Sequence, residues 1–60
     1  MERMTTSEIV KLELMRRNMT QLDLAEKLNV TSVTISNRLS TNAWKPMEIF
    51  YMKHKLGFNL

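Results

Sequence analysis

The sequence predicts an all-α fold of four to five short helices, on three observations. Glycine and proline occur once each in 60 residues, too few to punctuate strands joined by tight turns. Apolar residues recur at helical rather than alternating spacing. Thr, Ser or Pro stands ahead of these runs and Asn or Gly behind them, the order in which helices start and stop.

The size allows one domain, residues 1–60. A chain this short buries only about 60% of the surface its unfolded form exposes, so stability is marginal. Without cysteine, and with a single histidine, neither a disulfide framework nor a cluster of zinc ligands is available. A hydrophobic content of 43% with 25% charged residues reads as globular rather than disordered. No apolar run approaches the roughly 20 residues that span a bilayer. The first residues also lack a stretch like a signal peptide. A cytoplasmic protein with no membrane association is expected. The net charge of +3 suits a polyanionic partner without requiring one.

Taken in order, the first helix is expected from about Ser7 to Arg17, capped by Thr6 or Ser7 and ended by Asn18. Val10 and Leu14 share a face with Ile9, Leu12 and Met15 beside them, while Arg16 and Arg17 complement the C-terminal dipole. Thr20 caps the second helix, with Asp23 three residues on as a variant capping box. Its apolar face is Leu22, Leu24, Ala25 and Leu28, and Asn29 ends it with positive φ. Thr31 or Ser32 opens the third, anchored by Ile35 and Leu39 at i, i+4. Its β-branched residues give it weak intrinsic propensity, so packing must select it. Ser40 to Trp44 reads as a connector. A fourth helix from Pro46 to about Leu56 follows, with Ile49, Phe50, Met52 or Lys53, and Leu56 as periodic positions and Gly57 behind them. Phe58 to Leu60 is an apolar tail or a fifth turn.

Thr20-Gln21-Leu22-Asp23-Leu24-Ala25-Glu26-Lys27-Leu28-Asn29-Val30, followed by Thr34-Ile35-Ser36, resembles the helix-turn-helix of the phage Cro and repressor family. Arg38-Leu39, Trp44, Glu48-Ile49 and Leu56-Gly57 are similar to the later helices of small Cro-like proteins, so the likeness runs from residue 7 to residue 58. It implies a lambda-repressor-like domain with its motif at residues 20–40, binding double-stranded operator DNA as a transcriptional regulator, without cofactor or catalysis. Each position has its own physical reason. Ala25 sits where the two motif helices approach most closely. Leu24, Leu28, Val30 and Ile35 fill the angle between them. Gln21 lies at a helix N-terminus, which favours a phosphate. Two departures stand out: Asn29 replaces the usual Gly, and Ser40-Thr41-Asn42 replaces a connector that often reads Asn-Gly-Lys. Where some phage repressors bury an Arg–Glu pair between their first and third helices, Leu14 and Leu39 stand here.

The resemblance places base contacts at Ser32, Val33 and Asn37, near the start of the helix that enters the major groove. Asn pairs bidentately with adenine, Ser bonds several base edges, and Val methyls meet a thymine methyl. On composition alone, the same face is an ordinary solvated surface with one Val. Gln21, Thr31, Thr34 and Lys45 are the leading phosphate candidates, with Thr20 and Asn42 behind them. For Thr20 and Thr31 the competing role is simple N-capping. Arg38 is divided evenly between a DNA contact and plain surface charge.

Trp44 reads as a core lid rather than a stacking platform, and His54 as a surface residue. The methionines read as core filler or as an adaptable binding surface. No nucleophile–base constellation appears. A homodimer is expected on DNA, weakly associated or monomeric when free, with Phe58, Leu60 and the Trp44 connector as its contact surface. The rival readings are a protein-interaction module of antirepressor or antitoxin type, and a fragment of a longer regulator.

Overall fold

The computed structural model describes residues 4–60. Four helices follow one another: α1 (Thr6–Arg16), α2 (Gln21–Leu28), α3 (Ser32–Thr41) and α4 (Pro46–His54). No strand and no fifth helix occurs among the described residues; Phe58 to Leu60 forms only a turn, in which the Leu60 N–H reaches the Phe58 carbonyl. The all-α expectation holds in its four-helix form.

Helix starts follow side-chain chemistry. Thr5, not Thr6 or Ser7, caps α1, because Thr5 and Glu8 form a reciprocal box: Thr5 Oγ1 accepts the Glu8 N–H and Glu8 accepts the Thr5 N–H. Thr20 and Asp23 do the same for α2. Thr31 caps α3 by accepting the Thr34 N–H. Helix ends follow backbone conformation. Asn18, Asn29 and Asn42 all take positive φ, which non-Gly residues other than Asn and Asp adopt at a cost. After α2 the Val30 N–H reaches back to the Ala25 carbonyl at 2.9 Å, so the left-handed Asn29 turns the chain sharply into α3. α3 continues through Ser40 and Thr41, where the sequence predicts a connector. α4 ends at His54, before Leu56.

The core joins Val10 and Leu14 of α1, Leu24 and Ala25 of α2, Ile35 and Leu39 of α3, and Met52 of α4, with Trp44 and Phe58 closing it. Leu14 and Leu39 are thus both apolar core residues. Four expected core positions face outward instead: Leu12, Met15, Leu22 and Phe50. Helices of 8 to 11 residues show the core only a narrow stripe, and the flanking positions stay wet. Two carboxylates take buried places that the hydrophobic pattern did not reveal. Glu13 receives Arg16 and Arg17, both at 3.1 Å, and Glu48 receives Arg38 at 3.0 Å. Arg16 and Arg17 are therefore not simply solvated dipole partners. Arg17 also donates to the Gly57 carbonyl at 2.9 Å and lies 4.9 Å over the Phe58 ring, pinning the tail on α1.

That tail corrects the expected dimer surface. Phe58 is only 3% exposed and Trp44 9%, because both are consumed by the chain's own core. Leu60 is half-buried. Trp44 is the expected core lid, and its indole N–H donates to Ser7 Oγ at 2.9 Å. No buried side-chain polar atom among the described residues lacks a partner, as a marginal core requires. Among the same residues no helix is long and apolar enough to cross a membrane.

Candidate nucleic-acid interface

The candidate surface is built on α3 because its two ends are held by different means. Its N-terminal end follows the Asn29 turn and the Thr31 cap. Its C-terminal end is tied to the rest of the molecule by polar contacts. Ser7 Oγ donates to the Arg38 carbonyl at 3.1 Å, the Ser7 N–H donates to Asn42 Oδ1 at 2.9 Å, and Arg38 pairs with Glu48. Ile35 and Leu39 fix the inward face.

What remains outward is Val33, Ser36 and Asn37, all exposed, beside half-buried Ser32. Val33 and Asn37 are four residues apart and Ser36 lies between them, so the three share one face. Ser32 and Val33 open the helix, and Asn37 lies one turn further along on the Val33 side. Ser36 belongs to the same surface, and only its spacing from Ser32 could have singled it out. Val33 is 67% exposed on an otherwise polar face.

The phosphate candidates divide by how far the fold already uses them. Gln21 is exposed at the first turn of α2, and Lys45 is exposed at the start of α4. Thr20 spends its hydroxyl oxygen on the Asp23 N–H, and the Asp23 carboxylate shares that helix end. Thr31 and Thr34 hydroxyls lie 3.0 Å apart, a pair at the α3 N-terminus with Thr31 also capping. The Asn42 side-chain oxygen accepts the Ser7 backbone N–H. Arg38 engages Glu48 through Nε, leaving its terminal nitrogens without a protein partner among the described residues.

Electrostatics separates this surface from the rest. Between Glu26 and Glu48 the sequence has no carboxylate, while Lys27, Arg38 and Lys45 lie within that span. The whole of α3, the turn before it and the segment after it thus carry only positive charge. A cleft of 360 Å³ opens beside it between the end of α2 and the start of α4, lined by Lys27, Leu28 and Asn29 on one side and by Lys45, Met47, Glu48 and Tyr51 on the other. Met47 is 83% exposed, and Phe50 packs against His54 on the outer side of α4 with ring centres 4.5 Å apart.

Comparison with family models, with characterised proteins and with solved structures finds no match for this chain.

Proposed function

We propose that the protein is a sequence-specific double-stranded-DNA-binding regulator of transcription, inserting the start of α3 into the major groove. One observation carries the reading. The exposed face of α3 presents a hydroxyl, an amide and a lone aliphatic side chain inside a span free of carboxylates. Those are groups that read base edges, in an electrostatic setting that tolerates phosphates on either side. Val33 is exposed on a face whose other outward side chains are polar, the stretch from Lys27 to Met47 carries no acid, and Glu48 just after it is paired with Arg38. The α2–turn–α3 arrangement, with Ala25 buried at the junction and Asn29 left-handed, supplies the frame such insertion needs.

The test is selection of bound duplexes from a random pool, followed by titration at about 50 and 200 mM salt. Neutralising about 4–6 phosphates per monomer weakens binding more than tenfold across that range. A shared sequence among the selected duplexes is the expected result.

The cleft and the exposed Met47 and Phe50 favour a second reading, a protein-interaction module on the same frame. Large exposed apolar side chains beside a concave surface mark protein contacts. Absence of duplex binding even at low salt would favour this reading over the first.

A further inference from the structure

We propose that Glu48 is a positioning residue that makes Arg38 and Lys45 a single phosphate clamp at the junction of α3 and α4. The inference rests on the DNA-binding reading and deepens it. One carboxylate oxygen, Glu48 Oε1, accepts both the Arg38 Nε–H at 3.0 Å and the Lys45 backbone N–H at 2.9 Å. A single atom therefore fixes the guanidinium at the end of the reading helix and the backbone at the start of the next. The Glu48 side chain is 10% exposed and that of Arg38 21%, so neither swings freely in solvent.

The geometry of guanidinium makes the arrangement directional. Its donors lie in one rigid plane. With Nε–H held by Glu48, the remaining edges are presented in a fixed orientation and can offer paired N–H groups to a phosphate. The Lys45 side chain, exposed on the residue whose N–H is held by the same oxygen, supplies a second cation nearby. The device resolves an apparent contradiction. A carboxylate beside a phosphate site ought to repel the ligand. Here its charge is spent orienting the stronger donor, and orientation outweighs field.

That claim gives the test its sign. Glu48→Gln keeps an oxygen for the Lys45 N–H, raises the net charge by one, and removes the ionic hold on Arg38. Field alone predicts tighter DNA binding. Positioning predicts binding to the selected duplex about tenfold weaker, with the salt slope reduced by about one phosphate contact. Glu26→Gln, the same charge change at an exposed α2 site, is expected to bind as tightly as the unaltered chain or more tightly. Arg38→Ala should weaken binding, and adding Glu48→Gln to it should change nothing further.

Glu48→Gln binding as well as the unaltered chain, or an additive effect in the double variant, overturns the proposal and leaves DNA binding intact. Failure of the unaltered chain to bind any duplex removes function and clamp together. Thermal melts accompany each variant. If Glu48→Gln does not fold, Arg38→Lys decides the matter: it keeps the charge but loses the anchored plane. It is expected to show the same loss, and unaltered binding by it overturns the clamp.

Discussion

Asn37 and Gln21 occupy comparable positions on the surface, both exposed and both amide-bearing, yet the proposed function gives them opposite roles. Asn37 faces outward from α3, where a side chain meets base edges. Gln21 stands at the first turn of α2, where phosphate is favoured. Asn37→Ala is expected to relax preference at one base pair and cost about 1–3 kcal/mol on the selected site. Gln21→Ala should weaken all duplexes alike. Uniform losses for both, measured across a panel of single-base variants, would show that α3 does not read sequence. Another residue-scale expectation concerns acid. The Thr5 backbone N–H, and then its hydroxyl, hold the Glu8 carboxyl below the ordinary carboxylate range, with Lys11 helping. A depressed folded value means that the α1 cap contributes above the unfolded pKa and is lost as pH falls through the folded one. Glu8→Gln should flatten that acid-side slope in thermal melts. A slope unchanged by the substitution would show that the box contributes nothing there.

Among elements, the junction of α2 and α3 is the tightest. Ala25 is 1% exposed and its carbonyl receives Val30 across the turn. Ala25→Leu would overpack this site at a cost of about 1–3 kcal/mol, large against the margin of a small domain. A denaturation midpoint unchanged by that substitution would mean that the helices can separate without penalty. The caps at Thr20 and Thr31, the left-handed turn at Asn29 and the core pair Ile35 and Leu39 were legible in the sequence, since each depends on local spacing. The α1 start was legible only to within two residues: Thr6 and Ser7 look like caps in the sequence, whereas Thr5 takes that place with Glu8. Only the fold shows that Ser7 turns inward to Trp44 and Arg38. Glu13 and Glu48 were not legible as buried groups. Arg38 reaches Glu48 from another helix, Arg16 and Arg17 meet Glu13 at the end of its own helix, and a charged residue offers no hydrophobic signal of its burial. Phe58 failed for a related reason: an apolar residue near the chain end reads equally as lid or interface until the Arg17 contact decides it.

At the scale of the molecule, a body of 34 × 22 × 20 Å that used one short helix to read DNA, as proposed, would make few base contacts. Two copies on half-sites about one helical turn apart would supply the discrimination that one lacks. With Phe58 and Trp44 buried, a contact between copies must use another face. Sedimentation on a selected duplex is expected to give two proteins per site. One protein per site, with a single protected half-site in footprints, would refute the paired arrangement while leaving DNA binding in place.

The span without carboxylates between Glu26 and Glu48 also bears on speed. A surface with charge of one sign on one side turns a diffusing polyanion toward that side before contact, raising the fraction of encounters that are productive. The buried pairing of Glu13 and Glu48 with arginines leaves Glu8, Asp23 and Glu26 as the more accessible acids among the described residues, all on α1 and α2. Placing one acid inside the span should therefore slow capture without loosening what has been captured. Ser40→Glu, at an exposed position at the far end of α3, is expected to lower the association rate at low salt and to leave the dissociation rate nearly unchanged. The difference should fade as added salt shortens the reach of the field. Stopped-flow measurement of both rates, over a series of salt concentrations, separates arrival from residence.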